Sequence, residues 1–255
     1  MCLIFISLKE HSQYKLIVAA NRDEFYNRKT AAADFWPDQP NILGGRDLEA
    51  GGTWLGISKN GRVSMITNYR DPINIRANAP SRGHLVSDYL AGTTNSFEYM
   101  QALVPKAKDY NGFNLVTGSV DQLHYFSNYG NGITTMDKGL FGLSNHLLDT
   151  PWPKVKKGKE YVRDIISKPF TSGDLFQLLY NEQIAADDVL PDTGVGLERE
   201  RWLSAMFIKS PGYGTRCSTV ILVDYDNTVS FAERVYDLST FSYSEKSFTL
   251  KTDDH

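Results

Sequence analysis

Cysteine is nearly absent from this chain: Cys2 and Cys217 are its two thiols in 255 residues. Two cysteines build neither a disulfide framework nor a cysteine metal cluster. A reducing compartment, the cytoplasm, is therefore the expected location. No apolar run approaches the ~18 residues a membrane helix needs, so no stable membrane insertion is expected. The apolar opening, Met1 to Leu8, has no Lys or Arg ahead of it and no small-residue cleavage site behind it. It does not read as a secretory signal. Positive charge is not in excess either: 27 Lys plus Arg face 30 Asp plus Glu, a net charge of −3. A dedicated nucleic-acid binder carries a basic surplus, so nucleic acid is not an expected partner.

Several catalytic signatures are missing as well. There is no G-x-x-x-x-G-K-[ST] phosphate cradle, and Gly44-Gly45-Arg46 and Gly51-Gly52 do not spell a dinucleotide fingerprint. Gly142-Leu143-Ser144-Asn145 approaches a G-x-S-x-G elbow but continues with His146. The five histidines, His11, His84, His124, His146 and His255, are scattered. None has zinc-ligand spacing, and no metal or organic cofactor is expected.

What is present is an ordinary globular composition, 22% charged and 12% aromatic, which excludes a disordered chain. The whole chain, 1–255, reads as one domain with a substantial core. Unbroken apolar runs at Cys2–Leu8 and Leu16–Ala20 suggest two strands covered on both faces, paired as a hairpin. Asn60-Gly61 predicts a turn between strands 54–58 and 62–68, and Asn131-Gly132 another between 123–127 and 133–136. A third hairpin is expected at 219–224 and 228–233. Helices are predicted from Ser81 to a stop at Gly92, and over 97–107, 154–167, 175–180 and 197–207. Hairpins with peripheral helices favour an α+β class. The polar tail from Lys251 to His255 is expected to fray. Trp36, Trp54, Trp152 and Trp202 read as core. Lys154, Lys156, Lys157 and Lys159 read as a solvated helix face.

Cys2 follows the initiator methionine, which is generally removed before a small residue. Removal leaves one residue carrying a thiol and a free α-amine, whose reference pKa is about 7.7–8.0. Such a residue supplies both nucleophile and general base. A nearby cation lowers the thiol's own value. The alternative is that Cys2 fills a strand as a small hydrophobe. Asn21-Arg22-Asp23-Glu24 leaves the second strand beside the chain start. Its carboxylates and guanidinium can hold an ammonium or a thiolate, or simply solvate the strand end.

Met1-Cys2 together with Val18-Ala19-Ala20-Asn21-Arg22-Asp23-Glu24-Phe25 resembles the opening of the NRDE, or transport-and-Golgi-organisation, family. The resemblance continues through Ile42–Asp47, Gly52–Gly56, Thr67-Asn68-Tyr69-Arg70, Phe141–Asn145 and Tyr213–Thr219. That family is in turn similar to N-terminal nucleophile hydrolases of the cholylglycine hydrolase and penicillin V acylase type. The resemblance implies an αββα sandwich of two mainly antiparallel sheets between helix layers. It implies that Cys2 attacks an amide carbonyl, that Asp23 holds the α-amine, and that Asn68 stabilises the oxyanion. It makes Asn145 a second active-site asparagine, and places Arg216 and Arg22 near the thiol. The hydrolases separate that arginine from the aspartate by two residues. Arg22 and Asp23 are adjacent, and neighbours on a strand point to opposite faces. If Arg216 faces the cleft, alternation turns Cys217 away, leaving it a packing residue unpaired with Cys2.

Two functions follow. One is hydrolysis of a small-molecule linear amide through a thioester on Cys2. The other is non-catalytic binding of an amphipathic, haem- or lipid-like ligand in trafficking, with which the family has been connected.

Overall fold

The computed structural model of the chain describes residues 2–252. The expectations about Met1 and about residues 253–255 fall outside the described residues. Fourteen strands and five α-helices follow in chain order: β1 (Cys2–Leu8), β2 (Tyr14–Phe25), β3 (Thr30–Trp36), β4 (Gln39–Asp47), β5 (Leu55–Ser58), β6 (Arg62–Asn68), α1 (Gly83–Ala91), α2 (Ser96–Leu103), β7 (Phe113–Ser119), β8 (Leu123–Ser127), β9 (Thr134–Met136), β10 (Gly139–Leu143), α3 (Pro153–Ile166), α4 (Ser172–Leu179), α5 (Leu197–Leu203), β11 (Lys209–Ser210), β12 (Tyr213–Asp224), β13 (Thr228–Tyr236) and β14 (Tyr243–Lys251).

The strands form two antiparallel sheets. The first runs β10-β1-β2-β12-β13-β14, with β11 beside β12, and the second runs β3-β4-β5-β6-β7-β8-β9. Helices α3 and α4 cover the first sheet, and α1 and α2 cover the second. The class is α+β and the layering is helix, sheet, sheet, helix.

Alternation along β1 explains the layers. Cys2, Ile4, Ile6 and Leu8 join the core between the sheets, while Leu3 and Phe5 join the core beneath α3 and α4. Both faces are therefore apolar, which is why the sequence shows an unbroken run. In α3 the buried residues are Lys154, Val155, Gly158 and Val162, a stripe at helical spacing.

Lys156 and Lys157 are exposed as expected, but Lys154 is only 3% exposed, so the basic run is not one solvated face. Of the tail expected to fray, Lys251 and Thr252 are described, and both are held in place. Lys251 ends β14, and Thr252 is buried with its N–H donating to the Asn227 carbonyl at 3.0 Å.

Helix α3 approaches β1 very closely at Gly158, where an added Cβ would sit 2.0 Å from Cζ of the buried Phe5 ring. Alanine normally gains ~1 kcal/mol over glycine inside a helix. Overpacking a rigid core costs ~1–3 kcal/mol, and a buried ring has no room to retreat. Gly158→Ala is therefore expected to destabilise the fold, read as a lower urea midpoint at unchanged slope; an unchanged or higher midpoint would contradict this packing.

Candidate active site

The site is assembled by the register of β1, β2 and β12. Cys2 lies opposite Arg22, and Arg22 lies opposite Cys217. These three side chains form a row facing the space between the sheets. Asp23, one residue on, faces the opposite side, as does Asn21. Both faces meet at the start of β1, so a thiol on one side and a carboxylate on the other flank the same stretch of backbone.

Asn21 has a structural task. Its amide donates to the carbonyls of Leu179 and Met206, both at 2.8 Å, and its Oδ1 accepts from the Ser218 hydroxyl at 2.6 Å. This ties α4 to the sheet. Asp23 is fully buried, and its Oδ1 accepts from the Thr215 hydroxyl at 2.7 Å. Burial raises its pKa, opposed chiefly by the charge of Lys154. Burial in turn lowers Lys154 from its ordinary value to about 8, opposed by Asp23. Beside them Arg70 pairs with Glu200 at 2.7 Å, with side chains only 5% and 3% exposed. None of Lys154, Arg70 or Glu200 was singled out as a site residue by sequence reasoning. The available signal was the position of Lys154, four residues before Gly158 on the buried stripe of α3.

Arg216 departs from expectation. The pairing of β12 with β2 shifts between Thr215 and Cys217, leaving Arg216 as the extra residue of a β-bulge. Alternation fails there, so Arg216 and Cys217 both line the cleft and Cys217 does not turn away. Nη1 of Arg216 donates to the carbonyls of Phe25 (2.9 Å), Tyr26 (3.1 Å) and Arg28, clamping the turn after β2. The guanidinium acting on the thiol is that of Arg22. It does not prevail: burial pushes the Cys2 thiol up to about 11, rather than down as a nearby cation would. Both cysteines are free. Two strand spacings separate them by about 9–10 Å, beyond the ~7 Å limit for bridging Cα atoms.

Asn68 ends β6 and lines the same cavity. Asn145 does not line it; its amide donates to the Asn68 carbonyl at 3.0 Å. The Thr67 hydroxyl donates to the Ser144 carbonyl at 2.5 Å, and the Arg70 N–H donates to the Asn145 carbonyl at 2.7 Å. The segment after β10, which neighbours β1, thus anchors the end of β6 in the other sheet. Asn145 holds Asn68 from behind, while the Asn68 amide makes no hydrogen bond among the described residues.

The cavity, about 560 Å³, opens where β1 starts and β2 and β6 end. Cys2, Arg22, Asp23, Asn68 and Arg216 all contribute to its wall. So do Trp54, which is also part of the core between the sheets, and Arg82 and Glu233, which sequence reasoning missed. Glu233 is buried, accepts from the Ala33 N–H at 2.6 Å and is raised in pKa by burial, joining the two sheets at the back of the cavity. Among the cavity arginines, Arg28 is paired with Asp47 and Arg46 with Asp38. Arg22 has its nearest carboxylate, Glu24, at 3.9 Å, and Arg82 donates to the Gly112 carbonyl at 2.9 Å. Glu24 and Glu233 line the same cavity, so Arg22, Arg82 and Arg216 stand among carboxylates. No helix among the described residues is long and apolar enough to cross a membrane.

The profile of the family described as Transport and Golgi organisation 2 matches residues 1–238. The human Transport and Golgi organization protein 2 homolog is 37% identical over 277 residues, covering 99% of this chain and 100% of the relative. The Transport and Golgi organization protein 2 of Drosophila melanogaster is 32% identical over 263 residues, covering 91% of each chain. Among solved structures, the Caenorhabditis elegans ortholog of N-acylethanolamine-hydrolyzing acid amidase superposes with a TM-score of 0.52 at 10% identity, over 87% of this chain and 92% of that one. The fold is accordingly that of the N-terminal nucleophile hydrolases. The chain belongs to the Transport and Golgi organisation 2 family.

Proposed function

We propose that this chain, once Met1 is removed, is a cytoplasmic N-terminal-cysteine hydrolase of a linear amide. The observation that carries the reading is the convergence of Cys2, Arg22, Asp23 and Asn68 on one open cavity. The shared fold with a protein named as an amidase supports it.

The chemistry follows from the environment of the thiol. Burial favours the protonated sulfur at neutral pH, so it needs a base at hand. The α-amine of Cys2 is that base, and Asp23 orients it. As the S–H proton moves to the amine, sulfur bonds to the substrate carbonyl carbon and the carbonyl electrons move onto oxygen. The Asn68 amide and a backbone N–H hold that oxyanion. The C–N bond then breaks, the leaving nitrogen takes the proton from the α-ammonium, and a thioester remains on Cys2. Water, deprotonated by the same amine, cleaves it and restores the thiol. The guanidiniums of Arg82 and Arg216, which have no ion pair among the described residues, favour an amide bearing a negative group.

A ligand carrier on the same scaffold is the second reading. It is favoured by Phe25 and Ile75, which are 60% and 68% exposed beside this charged cleft and offer an amphipathic molecule an apolar rim.

A panel of N-acyl substrates separates the two. In the hydrolase, intact mass finds Met1 gone, and Cys2→Ala abolishes cleavage while binding persists. Wild-type protein that binds but never cleaves, or that retains Met1, supports the carrier. Loss of one oxyanion donor typically costs ~10²–10³-fold in kcat. Asn68→Ala is expected in that range with KM little changed; a KM effect alone would make Asn68 a binding residue. Arg82→Gln is expected to raise KM for acidic amides several-fold and to leave neutral ones unaffected.

A further inference from the structure

The buried charges behind the nucleophile are not all consumed by the reaction described above. Lys154 enters the protein at the start of α3 and is 3% exposed. Its Nζ has no hydrogen-bond partner among the described residues. A buried ammonium without a hydrogen bond is costly to maintain, so its position calls for a compensating charge. The charged and titratable groups acting on it are Asp23 of β2, Cys2 of β1, Arg70 beyond β6 and Glu200 of α5; Glu24 of β2 and Tyr213 of β12 add to the surroundings of Asp23, while β10 brings no titratable side chain. Arg70 and Glu200 neutralise each other at 2.7 Å. The remaining unmatched cation is Lys154, and the carboxylate it most affects is Asp23.

We propose that Lys154 is a positioning residue of the nucleophile: from the helix side of the sheet it shares the Asp23 carboxylate with the α-amine of Cys2, so that the amine loses its proton near neutral pH. The inference rests on the hydrolase reading, because it assumes that Met1 is removed. Its physical basis is that two cations on one carboxylate disfavour each other's protonation. Without Lys154 the α-ammonium has Asp23 to itself and holds its proton more tightly. With it, the amine is available as a base. The arrangement also explains why a lysine, rather than an apolar residue, occupies the buried stripe of α3.

Nitrogen-15 NMR of protein labelled at cysteine and lysine reads the α-amine and Nζ of Lys154 directly. Single-turnover acylation of Cys2 by a p-nitrophenyl acyl ester, followed from pH 5 to 9, reads the consequence. In Lys154→Met the midpoint of the α-amine is expected to rise by about one pH unit, and the acidic limb of acylation to rise with it. Lys154→Arg, which keeps the charge, should restore most of the shift. In wild-type protein, Lys154 should titrate well below the ordinary ~10.4 of lysine, and in Asp23→Asn lower still. These wild-type and Asp23→Asn titrations stand even where Lys154→Met fails to fold. An α-amine midpoint unchanged in folded Lys154→Met, or a Lys154 that titrates as an ordinary lysine, would overturn the proposal. A wild-type protein whose Cys2 is never acylated, but whose α-amine still responds to Lys154, would instead sink the hydrolase reading and leave the coupling standing.

Discussion

The hydrogen-bonded register of three adjacent strands decides everything about this site. Because Cys2 pairs with Arg22 and Arg22 with Cys217, a thiol and a guanidinium share the side of the sheet that opens to the cleft. Because strand neighbours alternate, Asp23 is sent to the other side, where the Thr215 hydroxyl donates to it and the charge of Lys154 acts on it. One residue of slip would exchange these faces. The bulge at Arg216 is part of the same device. It lets Thr215 stay beside Asp23 while Cys217 stays beside Arg22, although two residues of unbroken β12 would have pointed the same way.

Burial then sets the chemistry. Cys2 and Asp23 are removed from water, and both are pushed toward their neutral forms. Charge persists on the helix side because it is grouped: Arg70 pairs with Glu200, and Lys154 and Asp23 act on each other through their charges. Such pairs seldom add net stability, since desolvation offsets their attraction, but removing one member strands the other. A cluster of this kind is better understood as holding charge at a chosen place than as holding the fold together. The fold is held by the two apolar cores on either face of the first sheet.

The two sheets must also be kept in step, since the nucleophile belongs to one and Asn68 to the other. Asn145 and Ser144 do this from beside β10, receiving the end of β6 through the Asn68 carbonyl and the Thr67 hydroxyl. Glu233 does it at the back of the cavity through the Ala33 N–H. Arg216 closes the third side by gathering three carbonyls of the turn after β2.

Local pattern determined much of this protein. The apolar runs of β1 and β2, the Asn60-Gly61 and Asn131-Gly132 turns, the stop of α1 at Gly92 and the stripe of α3 are written in short-range periodicity and turn chemistry. Since β1 and β2 are consecutive, even the nearness of Asp23 to the chain start follows from reading one hairpin. Strands β3, β4, β7 and β14 carry mixed sequences without a clean alternation, and only their partners make them strands. The tertiary structure alone decided that Lys154 is buried, that Asn145 stands behind Asn68 and that Arg216 bulges to bring Cys217 into the cleft. Each of these depends on a partner far away in the chain, and a side chain's solvent exposure is set by what packs over it rather than by its neighbours in sequence.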